Sequence, residues 1–185
     1  MEEYFDVLDE NGSLTGAIKA RTLVHLDGDW HRAVHIWIFN KQCEVLLQRR
    51  SPNKDSDPGM LDISCAGHLS AGDDSITGAL RELKEELGLD VKASDLKFIT
   101  TLKRSPKHDD GFVDNEFDDL YLLSIDAKLE DLKMQEEEIS ELIFVPYKEF
   151  KASCIEGRED LVDYPDEYEI LFGIMDRKCE EPTCS

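Results

Sequence analysis

Three glutamates and an arginine fall within nine consecutive positions of the segment RELKEELGL, residues 81–89. At about 100° per residue on a helix, Glu82, Glu85 and Glu86 lie together on one stripe of the surface. Mg²⁺ and Mn²⁺ prefer oxygen ligands, and Mg²⁺ is commonly held by one or two carboxylates and the phosphates of a substrate. The spacing therefore favours a divalent-cation site for a phosphorylated ligand. The segment alone also fits a solvated helix face, on which Arg81 offsets Glu85 one turn away.

A helix over residues 75–87 is the element that would position these carboxylates. Asp74 is a suitable N-cap, and Gly88 is a suitable left-handed stop after the last turn. The apolar residues at helical spacing are Ile76, Leu80, Leu83 and Leu87. They form the single apolar stripe of a core-facing helix, so we expect the carboxylates to flank its buried face.

The rest of the chain mixes short apolar strands with few helices, which predicts an α/β layered domain. Asn11-Gly12, between two alternating runs, predicts an N-terminal hairpin over residues 4–20. Further strands are expected at 33–40, 43–50, 61–65, 96–102, 116–125 and 139–145, and helical segments near 147–154 and at 159–176. We expect one domain over residues 1–185, with its core at about residues 30–150.

The composition is that of a globular protein, with 41% hydrophobic residues and a net charge of −21 over 185 residues. Such acidity argues against nucleic acid and against an anionic membrane surface as partners. An anionic substrate would then need a metal ion or a few local cations. Five cysteines, an odd number without a CxxC pair, indicate reduced thiols, and the chain has no apolar run of membrane-span length. We expect a cytoplasmic protein.

The residues from Gly67 onward carry a longer pattern, G-HLSAG-D-DSITGAL-RELKEELGL. This pattern resembles the Nudix box, G-x5-E-x7-R-E-U-x-E-E-x-G-U, in which U is a bulky aliphatic residue. Only Asp73 departs from it, because the family usually has glutamate there. The resemblance implies an α/β/α sandwich, a loop–helix–loop over the box, and a hydrolase that cleaves diphosphate linkages with Mg²⁺ or Mn²⁺.

The resemblance also implies roles for the residues of the box. Glu85 and Glu86 would bind the metal, and Glu82 would be a metal ligand or the general base. Arg81 would brace these carboxylates, and the backbone carbonyl near Gly67 would contribute a ligand.

An acidic residue on a later strand is a further metal ligand in this family. Glu116 is the candidate for that position here. We assign no catalytic role to Asp73.

Residues from about His25 to Pro146 are also similar to the type I isopentenyl-diphosphate isomerases and their Nudix hydrolase relatives. The matching residues ahead of the box imply that Arg50 and Lys54 contact the diphosphate of the substrate. Two arginines at the end of a strand, Arg49 and Arg50, could also merely protect an exposed sheet edge.

The isomerases bind a metal through three histidines and two acidic residues. The candidates for such a second metal site here are His25, His31, His68, Asp114 and Glu116. Imidazole ligands would favour Mn²⁺, Zn²⁺ or Fe²⁺ more than Mg²⁺. Each histidine could instead be an ordinary hydrogen-bonded residue.

The position directly before the box glycine separates two enzyme classes. The isomerases carry their catalytic cysteine there, where this chain has Ala66. Cys65 lies one position earlier and in a strand points to the opposite face, as a buried and inert thiol would. A hydrolase is therefore favoured, with an isomerase and a non-catalytic Nudix-fold ligand sensor as alternatives.

The expected partner is a small-molecule diphosphate, either a nucleoside diphosphate derivative or a related organic diphosphate. Specificity for one such molecule resides in loops in this family. Homodimers are common in the family, so a homodimer is possible here.

Overall fold

The computed structural model describes residues 2–54, 56–105 and 113–180. An N-terminal hairpin pairs β1 (Tyr4–Leu8) with β2 (Leu14–Ala20) in antiparallel register. Its turn places Gly12 at φ 81°, a left-handed conformation that glycine adopts without steric cost. The hairpin predicted from Asn11-Gly12 is confirmed.

A mixed sheet of seven strands forms the centre of the fold. Its strands are β3 (His31–Phe39), β4 (Glu44–Arg50), β5 (Leu61–Asp62), β6 (Cys65–His68), β7 (Leu96–Arg104), β8 (Glu116–Ser124) and β9 (Ile139–Pro146). Strands β3 and β8 are parallel, and their register places His31 beside Glu116. The other pairings in this sheet are antiparallel, including that of β6 with β3, in which Ala33 lies opposite His68. Three strands therefore bring predicted site residues to one end of the sheet.

Helices cover both faces of this sheet. The short helix α1 (Arg21–Asp27) follows the hairpin, and α2 (Ser75–Leu87) packs Leu83 and Leu87 into a core on one face. Helices α3 (Tyr147–Glu156) and α4 (Pro165–Glu180) pack on the other face, around Trp37. The predicted α/β/α sandwich is confirmed.

Helix α2 begins and ends where the sequence predicts. The Asp74 side chain accepts a hydrogen bond of 2.8 Å from the backbone N–H of Thr77, which satisfies an otherwise unpaired donor of the first turn. Gly88 adopts φ 65°, and its N–H bonds the last carbonyls of the helix. These two caps fix the register of the helix that carries the box glutamates.

Two helix predictions need correction. The segment expected to be helical at 159–176 becomes helical only at Pro165, because proline is well suited to the first helical position. Leu161 instead forms an isolated bridge with Leu61. The seven-residue helix α1, which ends at Gly28 with φ 67°, was not predicted because it is too short to show a periodic apolar pattern.

The cysteines also differ from the prediction of reduced thiols. Cys43, in the turn between β3 and β4, forms a disulfide with Cys179 near the end of α4, 136 residues later. Cys65 and Cys154 are free. The prediction is therefore wrong for this pair, because odd and scattered cysteines give no hint of a partner that the fold supplies.

None of the helices within the described part of the chain is long and apolar enough to cross a membrane.

Candidate functional site

The box glutamates occupy the edge of α2 that faces β6. Glu82 and Glu86 are only 9% and 6% exposed, whereas the side chain of Glu85 is 54% exposed. A Cβ atom at Gly67 would overlap the Glu82 carboxylate. Only glycine therefore lets the β6 backbone approach this carboxylate so closely.

Arg81 contacts two of the box glutamates. Its Nη1 lies 2.7 Å from Glu82 Oε1 and 3.1 Å from Glu85 Oε2. Its Nη2 donates a hydrogen bond of 2.8 Å to the backbone carbonyl of His68. Asp73 lies at ion-pair distance from the Arg81 Nε, 3.8 Å away. One guanidinium thus ties the box helix to the loop and to β6.

The two buried carboxylates are short of positive charge. Burial, more than any neighbouring charge, raises the pKa of Glu82 to about 7. Burial and then the charge of Glu82 raise the pKa of Glu86 to about 8. The Oε2 atom of Glu86 is buried without a hydrogen-bond partner among the described residues. A divalent cation would satisfy both deficits, so the residues present fit such an ion.

A first histidine cluster lies at the end of β3, β6 and β8. The ligand atoms of His25, His31, His68 and Asp114 all lie within 4.8 Å of one another. Glu116 Oε1 adds to the group, 3.0 Å from His68 Nε2 and 3.6 Å from His31 Nε2. The residues predicted for a second metal site are therefore brought together.

Several atoms of this first histidine cluster lack hydrogen bonds. His31 Nε2 and Asp114 Oδ1 are buried with no hydrogen-bond partner in the parts of the chain that the structure describes. Asp114 precedes β8, yet its Oδ1 reaches to 3.5 Å from His31 Nε2. The ring of Phe5 stacks on His31 and His68, with centroids 5.3 and 4.9 Å away. Aromatic cover and orphaned ligand atoms together fit a metal ion.

Electrostatics favours the charged form of the acid and the neutral form of one imidazole in this cluster. Burial alone would raise the pKa of Glu116, but its contacts with His31 and His68 hold that pKa well below the usual value. Burial lowers the pKa of His68. A neutral imidazole beside an ionised carboxylate is the state in which both bind metals.

The predicted diphosphate contacts are both engaged with the protein. Arg50 donates from Nη1 to Asp62, at 2.7 Å, and from Nε to the carbonyl of Ser56, at 2.9 Å. Lys54 forms an ion pair with Glu138. Lys54 also lowers the pKa of Glu86 through its charge, which places it near the box.

The two residues before the box glycine point to opposite faces, as predicted. Cys65 is fully buried in the core beneath α2, and burial raises the pKa of its thiol well above the ordinary value. Ala66 packs against the core on the other face, the face that His68 shares. The residue directly before Gly67 therefore presents a methyl group, not a thiol, to that face.

A second histidine cluster escaped the sequence reasoning. His35, Asp118 and Glu167 are 5%, 0% and 1% exposed, and their ligand atoms also lie within 4.8 Å of one another. His35 Nδ1 lies 2.6 Å from Glu167 Oε1. The spacing of His35 from His31, and of Asp118 from Glu116, could have indicated two of these residues, because both pairs share a strand face. No sequence signal indicates Glu167, 132 residues from His35.

An open cleft of about 420 Å³ adjoins the exposed part of the box. Its lining includes Glu85 and Arg81 of the box and Glu3 and Tyr4 of the N-terminal segment. Glu85 is therefore open to solvent, unlike Glu82 and Glu86.

The chain matches known proteins over most of its length. The family model of the NUDIX domain matches residues 29–164. Nudix hydrolase 3 of Arabidopsis thaliana is 45% identical over 188 residues, which cover 98% of this chain and 24% of that protein. The chain thus spans about a quarter of the length of this relative.

Two further comparisons concern the enzyme class and the fold. An isopentenyl-diphosphate Delta-isomerase of Serratia proteamaculans is 31% identical over 128 residues, covering 69% of each chain. The crystal structure of DR0079 from Deinococcus radiodurans superposes with a TM-score of 0.70 at 22% identity, covering 97% of this chain and all of that one. The second likeness concerns the fold alone.

Proposed function

Because this chain belongs to the Nudix family, we propose that it is a hydrolase that uses Mg²⁺ or Mn²⁺ to cleave a diphosphate linkage in a small organic molecule. The observation that supports this most directly is the buried carboxylate of Glu86, which has an oxygen without a partner. Glu82 lies beside it against Gly67. Burying two carboxylates is costly unless a cation joins them.

The residues that would hold the metal are Glu82, Glu85, Glu86, Glu116 and the backbone carbonyl near Gly67. When bound, such ions neutralise phosphate charge and lower the pKa of a coordinated water.

The chain's own residues would position the substrate and move the proton. As the general base, Glu82 would accept the proton of the attacking water. Arg81 fixes the Glu82 carboxylate through its contact of 2.7 Å. Lys54 binds the diphosphate, and Arg50 does so by exchanging its bonds to Asp62 and Ser56 for phosphate oxygens.

The first histidine cluster would form a second metal site, with His25, His31, His68 and Asp114 as ligands beside Glu116. Its imidazoles suit Mn²⁺, Zn²⁺ or Fe²⁺. This site is also the feature that favours the second candidate function, isopentenyl-diphosphate isomerisation. Ala66 opposes that function, because no thiol stands directly before Gly67. The buried box glutamates likewise oppose a non-catalytic sensor, which has no use for them.

A mass-spectrometric turnover assay with Mg²⁺ tests the proposal. The substrate panel holds ADP-ribose, NADH, coenzyme A, nucleoside triphosphates and isopentenyl diphosphate. Glu86→Gln should lower turnover about 100-fold or more, because it removes a metal ligand from the reacting centre. Glu130→Gln, an exposed acid outside the site, is the matched control and should leave turnover unchanged.

Three outcomes would contradict the proposal. Undiminished turnover in Glu86→Gln would remove that residue from the site. Conversion of isopentenyl diphosphate to its dimethylallyl isomer, without release of phosphate, would establish the isomerase instead. Tight binding of a panel member without any turnover would establish the sensor.

A further inference from the structure

Lys54, which we propose to bind the substrate diphosphate, is already paired with a carboxylate of the protein itself. Its Nζ forms an ion pair with Glu138 Oε2. The two side chains are 24% and 34% exposed, so the pair is neither fully buried nor freely solvated. A carboxylate oxygen on a lysine occupies the position that a phosphate oxygen would take.

The backbone holds this ion pair in place. Lys54 lies in the segment after β4, and its N–H bonds the Ser51 carbonyl. The Ser51 N–H in turn donates to the carbonyl of Glu138 at 2.8 Å. A register shift between Arg49 and Arg50 interrupts the β4–β9 ladder at this level, and such bulges re-aim side chains near sites.

The same segment is tied to the end of the box helix. The Gln135 N–H donates to the carbonyl of Glu86 at 3.0 Å, and the Lys133 N–H donates to the carbonyl of Leu87 at 3.0 Å. Glu138 follows Gln135 by one turn, with a bond of 2.9 Å from its N–H to the Gln135 carbonyl. The Lys54–Glu138 pair is therefore fixed relative to Glu86.

We propose that the Glu138 carboxylate competes with the substrate for Lys54. The phosphate of the substrate must displace this carboxylate before the phosphate can bind Lys54. This inference rests on the proposed function, because it takes Lys54 as a diphosphate contact. The carboxylate lowers the affinity of the protein for phosphate ligands. Every such ligand gives up the same amount of binding free energy, because each must displace the same carboxylate. Weaker ground-state binding leaves kcat intact while it raises KM and speeds the departure of a monophosphate product.

Binding of methylenebisphosphonate, measured by calorimetry in the presence of Mg²⁺, tests the inference without turnover. Its P–C–P linkage is not hydrolysed, and inorganic phosphate serves as the second probe. Glu138→Gln should bind both probes more tightly by one common factor of about 10, which corresponds to about 1.4 kcal/mol. The factor is common because either probe displaces the same carboxylate.

Two variants make the test specific. Lys54→Met should abolish the gain produced by Glu138→Gln, since the carboxylate then has no cation to occupy. Glu141→Gln is the matched control and should leave both affinities unchanged, because Glu141 on β9 pairs with Arg49 on β4, at 3.0 Å, and not with Lys54. Thermal melts of each variant verify folding.

The inference fails if Glu138→Gln binds the probes no more tightly, or if its gain persists in the Lys54→Met background. A fall in kcat at constant KM would make Glu138 a catalytic residue and also overturn it. A changed affinity without any hydrolysed substrate would support the inference while the proposed function fails. If turnover depends on Glu86 but Glu138→Gln leaves the affinity for both probes unchanged, the proposed function is supported and the inference fails.

Discussion

Two clusters of histidine and carboxylate lie along the same two strands, yet they differ in how their atoms are paired. In the first histidine cluster, His31 Nε2 and Asp114 Oδ1 lie 3.5 Å apart and neither has a hydrogen-bond partner among the described residues. In the second, Glu167 accepts a hydrogen bond of 2.9 Å from Trp37 Nε1 while its other oxygen contacts His35.

Charge separates the two clusters further. Asp118 contacts Arg104 Nη1 at 3.3 Å and lies 3.9 Å from His35 Nε2. With His35 protonated, two cations lie beside two carboxylates there, and only Asp118 Oδ1 of this cluster lacks a hydrogen-bond partner among the described residues. The first cluster has acids and orphaned ligand atoms but no arginine or lysine ion pair of this kind within the described ranges. The same residue types therefore tie α4 to the sheet in one place and form the proposed second metal site in the other.

The largest effect should come from breaking the second histidine cluster. Glu167→Ala leaves His35 and Trp37 buried without their acceptor and should lower the free energy of unfolding by about 3–5 kcal/mol. Urea denaturation measures this loss. Glu169→Ala, exposed on the same helix, should change stability by less than about 0.5 kcal/mol. Equal losses in both variants would show that the cluster does not hold α4.

Of the two histidine clusters, only the first should bind a metal ion. In a Glu86→Gln background, which disables the box, Mn²⁺ at about 100 times its Kd should raise the free energy of unfolding by about 2.7 kcal/mol. His31→Gln should remove this increment, whereas His35→Gln should retain it. Thermal melts with and without Mn²⁺ measure the increment within each variant. A loss of the increment in His35→Gln would erase the distinction between the clusters.

A smaller effect should appear as a pH dependence of stability. Burial would lower the pKa of His35, but the charges of Glu167 and Asp118 raise it from 6.5 to about 10. Its contribution is therefore fully present below pH 6.5 and is lost as the pH rises through 10. Between these values the stability of the wild type should fall relative to His35→Gln, by at most about 1.4 kcal/mol per pH unit for one proton. Denaturation curves that stay parallel across this range would contradict the pairing.

Features that depend on short-range sequence patterns could be predicted from the sequence. The stripe of Leu83 and Leu87, with its caps, predicted α2 correctly. The spacing of the glutamates within one helix also placed Glu82 and Glu86 on a common edge. Local periodicity and short-range hydrogen bonds determine both features.

Contacts between distant segments could not be predicted. Glu167 meets His35 across 132 residues, and Glu138 meets Lys54 across 84. Each contact depends on where a later element packs on the sheet. A charged residue in a polar segment of the sequence does not reveal that position. The His25–Asp114 grouping was found only because a family pattern supplied the long-range pairing.

The Cys43–Cys179 disulfide turns most of the chain into a covalent ring. It encloses the 136-residue interval that runs from the β3–β4 turn to the end of α4, and the box lies inside this interval. A protease that cuts once within the ring opens it without releasing a fragment. The two pieces stay tethered at high effective concentration, and they separate on a denaturing gel only after a thiol reductant is added.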